Sequence, residues 1–131
     1  MYTRLFHDFV KSGDTLRVYQ GKQLLFASQK DRLLPLLEYI EQLLPGQQPV
    51  VLFDTIMGNA AALLAVKAGC REVYSPLASQ LAIMTLEKYG IKYYFSEVVP
   101  YIQQPDQSMC PMERLSLDKE PEEFYNLVRN I

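Results

Sequence analysis

Polar side chains that could bind a ligand follow a fully apolar run in the middle of the chain. The run Val50–Phe53 leads into Asp54, Thr55, Gly58 and Asn59, and an alanine-rich segment follows. Open α/β sheets place their ligand sites at such junctions between a buried strand and a helix. Backbone N–H groups at the start of the helix can bind a phosphate or carboxylate, while Asp54 can accept a hydrogen bond from a ribose hydroxyl or a base amine. We therefore expect these four polar or glycine residues to line a pocket at the C-terminal ends of the central strands.

Two other polar segments are expected to reach the same pocket. Lys30 and Asp31 follow an N-terminal hairpin and would approach from the neighbouring turn, and the loop 100–113 would bring Cys110 and Glu113 close. These residues also have structural interpretations. Lys30 could lie on a solvated face. Cys110 could fill a small space in the core, and Glu113 could stabilise the first turn of a helix.

The orientation of Asp54 separates a pocket from a purely structural turn. As a helix cap, Asp54 would satisfy the N–H groups that an anion would otherwise bind. The pocket therefore requires Asp54 to point across it, with the loop 100–113 at the same edge of the sheet. An Asp54 side chain buried against the sheet would favour an interaction module instead.

The length and charge of the chain limit its classes of partner. The 131 residues fit one domain, 1–131, with a core large enough to fold without disulfides. Thirteen Lys and Arg residues against 15 Asp and Glu residues leave a formal charge of −2, and no basic stripe is present. Duplex nucleic acid is therefore not an expected partner. A nucleotide-like small molecule is compatible with this charge, because a helix N-terminus binds an anion without net positive charge.

The cysteines and the hydropathy indicate a cytoplasmic protein. Cys70 and Cys110 are too few and too far apart for a disulfide framework, which favours a reducing compartment. Charged residues interrupt the apolar positions near the N-terminus, which argues against a cleavable signal peptide. No apolar run approaches the roughly 20 residues of a membrane helix, so no membrane partner is expected.

Hydrophobic periodicity predicts a regular alternation of helices and strands. Helices are expected over 2–10, 33–44, 58–68, 79–89 and 120–131, and strands over 16–19, 24–27, 50–53, 73–74 and 91–99. The first two strands indicate a hairpin. The remaining strands are joined by helices, which implies right-handed crossovers and parallel pairing. The expected fold is a three-layer α-β-α domain with a mixed five-stranded sheet.

Four segments carry a family resemblance. They are the pattern Asp54, Gly58 and Ala60–Ala62, then Glu87–Ile91, Val99–Ile102 and Met109–Glu113. With them, the chain resembles over essentially its whole length a small, uncharacterised prokaryotic domain-of-unknown-function family assigned to the cytidine-deaminase-like fold. The resemblance implies that fold. It implies no particular reaction, because the activity of the family is not established.

The zinc motifs of active cytidine deaminases are missing from the sequence. Those enzymes need a His or Cys with a Glu before the helix after the hairpin, and Pro-Cys-x-x-Cys before the next helix. Here Ser28–Arg32 and Asp54–Asn59 occupy these positions, and neither contains His or Cys. We therefore expect no metal and no cofactor, and no deamination of cytidine by zinc-bound hydroxide.

Two classes of function remain, and a third is weaker. The first is binding of a nucleotide or related small molecule at the expected pocket, with or without an activity. The second is a non-catalytic interaction module that forms a homo-oligomer, suggested by the missing motifs and the abundant apolar helix surface. The third is an enzyme that uses Cys110 with Asp54 or Glu113.

Overall fold

A computed structural model describes residues 2–42 and 49–130, and these contain six helices and six strands. The helices are α1 (Tyr2–Ser12), α2 (Leu34–Gln42), α3 (Asn59–Lys67), α4 (Gln80–Lys88), α5 (Pro111–Leu115) and α6 (Pro121–Val128). The strands are β1 (Leu16–Gln20), β2 (Gln23–Ser28), β3 (Val50–Asp54), β4 (Ile56–Met57), β5 (Cys70–Ser79) and β6 (Lys92–Val99). The predicted end of the second helix at Pro45–Gly46 lies outside the described residues.

The strands form one mixed sheet, as the alternation of elements predicted. β1 pairs antiparallel with β2 and β3, whereas β5 pairs parallel with β3, β4 and β6. β6 runs along Glu72–Ser79 of β5, so β3 and β4 must share the opposite edge of β5. The sheet therefore has β2 at one margin and β6 at the other.

The sheet has six strands rather than the expected five. The additional strand is β4, a two-residue strand that follows the break at Asp54–Thr55 and pairs with Leu77 and Ala78. β5 is also much longer than the predicted 73–74, because it has strand neighbours along both of its edges. Pro76 looks like the end of a strand in the sequence, but β5 continues through it.

One face of the sheet carries a core built around α3. The alanines of α3 are almost fully buried, and their small side chains let this helix contact α2, α4, α5 and α6. Leu36, Leu86 and Phe124 of the surrounding helices complete this core. The apolar helix surface that the sequence displays is therefore used mainly within the chain.

The opposite face is covered by α1 through an aromatic cluster. Tyr2 and Phe9 of α1 pack with Tyr19, Phe53 and Tyr74 of the sheet. Phe53 and Tyr74 meet edge-to-face with ring centroids 5.1 Å apart. The described residues thus form helix, sheet and helix layers, and no helix among them is long and apolar enough to cross a membrane.

Candidate functional site

The start of α3 is occupied by a carboxylate from a distant part of the chain. Glu113 of α5 is only 2% exposed, and one of its carboxylate oxygens accepts a hydrogen bond from the backbone N–H of Asn59, 54 residues away. The other oxygen accepts from the N–H of Ile102 at 2.8 Å. Free N–H groups at a helix N-terminus favour an anionic partner. Glu113 is therefore the anion at α3, and it fixes the loop 100–110 to the same point.

Gly58 is explained by the space that Glu113 needs. A Cβ at this position would lie 3.0 Å from a carboxylate oxygen of Glu113 and 3.0 Å from Cγ1 of Ile102. The backbone of Gly58 has φ −85°, which any residue can adopt. The close approach inferred from the sequence is thus an approach to two side chains of the protein itself.

Asn59 joins α3 to α4 and α5 through a buried polar network. Its Nδ2 donates to Oγ of Ser116 at 2.9 Å and to the carbonyl oxygen of Ser116 at 3.2 Å. Its Oδ1 accepts from the hydroxyl of Thr85, and Oγ of Ser116 donates to the carbonyl oxygen of Glu113 at 2.6 Å. Buried polar atoms with partners of this kind stabilise a unique packing. Ser116 and Thr85 were not singled out from the sequence, where nothing separates them from surface hydroxyls.

Asp54 is buried at the C-terminal end of β3. It is 8% exposed, and its Cα pairs with that of Leu16 in β1. Burial raises the pKa of Asp54 to about 7, although hydrogen bonds from the backbone N–H groups of Ile56 and Thr55 act in the opposite direction. Asp54 does not cap α3. The residue at the N-cap position is Gly58, which has no side chain to accept a hydrogen bond from the first turn.

The other expected site residues divide into two groups. Cys110 is half-buried, and its backbone N–H donates to the carbonyl of Ile102 at 2.8 Å, so it lies in the segment that covers the start of α3. Lys30 and Asp31 are exposed. The ammonium of Lys30 lies 3.0 Å from the carboxylate of Glu38 in α2.

The structure therefore brings together Gly58, Asn59 and Glu113 and closes the space between them. Within residues 2–42 and 49–130, no hydrogen bond or ion pair connects Asp54, Lys30 or Asp31 to this cluster. The anion that the sequence suggested for the start of α3 would have to displace Glu113.

Comparison with known proteins assigns the chain to a family. Residues 6–131 match a family model described as a domain of unknown function, DUF1893. The chain belongs to the DUF1893 family. A solved DUF1893 family protein from Thermotoga maritima is similar, with a TM-score of 0.86 and 26% identity over 97% of this chain and 86% of that chain. None of the curated proteins matches this DUF1893 chain at a significant level.

The potential metal ligands of this DUF1893 domain lie apart. In the described part of the chain, no three His, Cys, Asp or Glu side chains are grouped in a way that could hold a metal ion. His7 is exposed on α1, whereas Cys70 is buried at the start of β5. Burial raises the pKa of the Cys70 thiol to about 12, which keeps it neutral and unreactive at ordinary pH.

We expect Glu113→Gln to destabilise the domain by about 2 kcal/mol. Glutamine keeps one acceptor oxygen and turns an NH2 group toward an N–H that now has no acceptor. The matched control is Glu41→Gln, an exposed position of α2 that should change the free energy of unfolding by less than about 0.5 kcal/mol. Urea unfolding measures both, and equal effects would contradict the bridging role of Glu113.

We expect Asp54→Asn to flatten the pH dependence of stability. Because the pKa is about 7 in the folded state and 3.8 is the ordinary value, the folded chain binds one more proton between those two pH values. Stability should therefore fall as pH rises from about 4 to about 7, by at most about 4 kcal/mol. Asparagine has no proton to lose. The stability of the variant relative to the wild type should therefore increase between pH 5 and pH 8.

Urea unfolding at pH 5 and pH 8 measures this difference. Asp8→Asn, at an exposed position of α1, is the control and should follow the wild type. Parallel pH dependences for the wild type and Asp54→Asn would show that Asp54 is not the group responsible.

Proposed function

We propose that this DUF1893 domain acts as a non-catalytic module that self-associates through β6. The observation that carries the proposal is an eight-residue edge strand. Among the described strands, β6 pairs with β5 alone. The outer edge of such a strand presents a row of N–H and C=O groups that can pair with a further strand.

Apolar side chains accompany this edge. Tyr94 is 48% exposed and Val98 is 42% exposed, and alternation along a strand places them on the same face as Ser96. The ring of Tyr94 stacks on Tyr74 with centroids 4.6 Å apart, so it extends the aromatic cluster beneath α1. The aromatic cluster therefore continues to the margin of the sheet, where the side chain of Tyr94 is about half exposed in a single protomer.

A second copy of β6 fits this edge in an antiparallel register centred on Ser96. A two-fold axis beside Ser96, perpendicular to the sheet, places Tyr94 of each protomer opposite Val98 of its partner. Aromatic and β-branched side chains form favourable cross-strand pairs. The small Ser96 side chains meet at the axis, where space is most limited. The register uses residues 93–99, nearly the whole length of the strand.

The charges on β6 disfavour the adjacent registers. An axis beside Glu97 would place two carboxylates directly opposite each other, which is destabilising. An axis beside Phe95 would place Tyr94 opposite Ser96 and so lose the pair of Tyr94 with Val98. In the register centred on Ser96, Glu97 lies opposite Phe95 and Lys92 lies beyond the paired residues. Among the antiparallel self-pairings of β6, the register centred on Ser96 is therefore favoured.

We expect the wild-type protein to be a dimer and Val98→Lys or Tyr94→Lys to be monomers. Each lysine would put a charge against an apolar partner residue on both sides of the axis. The control is Leu24→Lys on β2, the opposite margin of the sheet, where a leucine of similar exposure (46%) is replaced. Sedimentation equilibrium of the full chain gives the mass of each variant. A monomeric wild type at about 100 µM, a concentration well above the Kd of specific dimers, would contradict the proposal, as would dissociation by the β2 variant alone.

A nucleotide-like ligand beside Asp54 is our second proposal. One observation favours it: Asp54 is a buried ionisable group with a strongly raised pKa at the end of a central strand, a frequent property of functional sites. Because Glu113 already occupies the start of α3, the part of the ligand that reaches Asp54 would be a hydrogen-bond donor rather than a phosphate. A Cys110-dependent reaction receives no such support from the contacts of the described residues.

We expect nucleosides at millimolar concentration to raise the melting temperature of the wild type if this second proposal is right, since ligands that bind only the folded state stabilise it. The shift should disappear in Asp54→Asn and persist in Asp8→Asn. Cytidine, adenosine and their 5′-monophosphates, compared in one thermal-shift series, separate recognition of the base from recognition of the phosphate. Identical melting temperatures with and without these compounds would leave self-association as the proposed function.

We also propose that the domain has the cytidine-deaminase-like fold and works in a reducing cytoplasm. The support for the fold is the element order, in which a helix and a hairpin precede the strands that are linked by helices. The support for the compartment is the presence of two free thiols, Cys70 and Cys110. Superposition on a solved zinc deaminase tests the fold, and a different strand order there would contradict it.

A further inference from the structure

A shallow cavity of about 440 Å³, open to solvent, lies between the segment 104–111 and the turn after α5. Its lining residues are Gln104, Ser108, Met109, Pro111, Arg114, Leu115 and Lys119. Its volume is comparable with that of small-molecule sites, roughly 300–1,000 Å³, but one side of a ligand here would remain in contact with solvent. The cavity shares no lining residue with the cluster of Gly58, Asn59 and Glu113 or with β6.

Two cationic side chains that line this cavity form no ion pair with the described residues. Arg114 comes from α5 and Lys119 from the turn that precedes α6. Every ion pair of the described chain involves other lysines and arginines. A guanidinium binds carboxylate and phosphate oxygens in a two-pronged geometry, and an ammonium adds a point charge.

The rest of the lining combines apolar surface with a hydrogen-bonded polar turn. Met109 and Leu115 supply apolar contacts. The opposite wall is a tight turn in which the N–H of Gln104 donates to the carbonyl of Ser108 and Nε2 of Gln104 donates to the hydroxyl of Ser108. Preformed pockets of this kind, mostly apolar with a few fixed polar groups, bind ligands with a small entropic cost.

The nearest acidic groups do not compete for this position. Asp106 accepts hydrogen bonds from the N–H and the hydroxyl of Ser108, which tie it to its own turn. Neither Asp106 nor the exposed Asp118 lines the cavity. Glu113, the buried carboxylate of α5, is satisfied by Asn59 and Ile102 on the other side of this segment.

We propose that this cavity binds a small organic anion, with its phosphate or carboxylate at Arg114 and Lys119 and its apolar body against Met109 and Leu115. The inference is independent of self-association through β6 and of ligand binding at Asp54.

The experiment uses three probes on the full chain. Phenyl phosphate carries both features, inorganic phosphate carries only the charge, and phenol carries only the ring. Isothermal titration should give the tightest binding for phenyl phosphate, at least about tenfold weaker binding for inorganic phosphate, and none for phenol. Arg114→Gln and Lys119→Gln should each weaken the binding of phenyl phosphate by about tenfold, the loss expected for one charge-assisted hydrogen bond.

The matched control is Arg71→Gln, an exposed arginine at the start of β5, which should leave the affinity unchanged. Unchanged affinity in Asp54→Asn would show that the site is separate from Asp54. Three results would overturn the proposal: no binding of phenyl phosphate, equal affinity for inorganic phosphate, or equal losses in Arg71→Gln and Arg114→Gln. The last two would indicate non-specific attraction of anions to the surface.

Discussion

The carboxylate of Glu113 holds the start of α3, the segment around Ile102 and α5 together at one point. It accepts from the first N–H of α3 and from the N–H of Ile102, and it belongs to α5. Leaving these two donors without an acceptor would cost roughly 1–3 kcal/mol each. Gly58 is a consequence of this arrangement, because the carboxylate needs the space of a side chain. The contact also limits what the domain can bind. The backbone N–H of Asn59 at the start of α3, its most buried helix, already donates to a carboxylate of the protein itself.

The packing on the two faces of the sheet differs. On the α3 face, alanines reduce the distance between layers, and several helices cooperate to exclude water. On the other face, α1 is the one described helix that covers the sheet, and large aromatic rings extend its reach. A single helix is too narrow to cover all the strands. The exposure of Tyr94 and Val98 on β6 follows from this difference, and it is the physical reason why we propose that margin as the surface for self-association.

Local signals in the sequence were sufficient for much of the fold. The hairpin, α1 and α4 fall close to their predicted bounds, because a turn at Gly21, a helical repeat of apolar residues and a cap at Ser79 are all encoded within a few positions. β4 was missed because two residues carry no periodicity. α5 is absent from the predicted elements because the segment around Pro111 has the composition of a loop, although the sequence did allow Glu113 in the first turn of a helix, where the structure has it.

The candidate site was predictable only in its location. The junction after β3 identified Gly58 and Asn59 correctly as residues at the start of a helix, and the loop 100–113 does reach it. The partner of that helix could not be deduced, since it lies 54 positions away and a glutamate in a first helical turn looks ordinary. The pairing of Lys30 with Glu38 was equally hidden, because it depends on where α2 packs. Long-range contacts of this type require the tertiary structure.

The bond between Asn59 and Glu113 also makes one amide proton unusual. In an isolated α3 this proton would be among the helix's free N–H groups and would exchange with solvent rapidly. Here its protection comes from a side chain on another element, so its exchange rate depends on the docking of residues 100–113 rather than on the unwinding of α3. A single resonance in a hydrogen-exchange experiment would therefore report the opening of that segment, separately from the global unfolding of the domain.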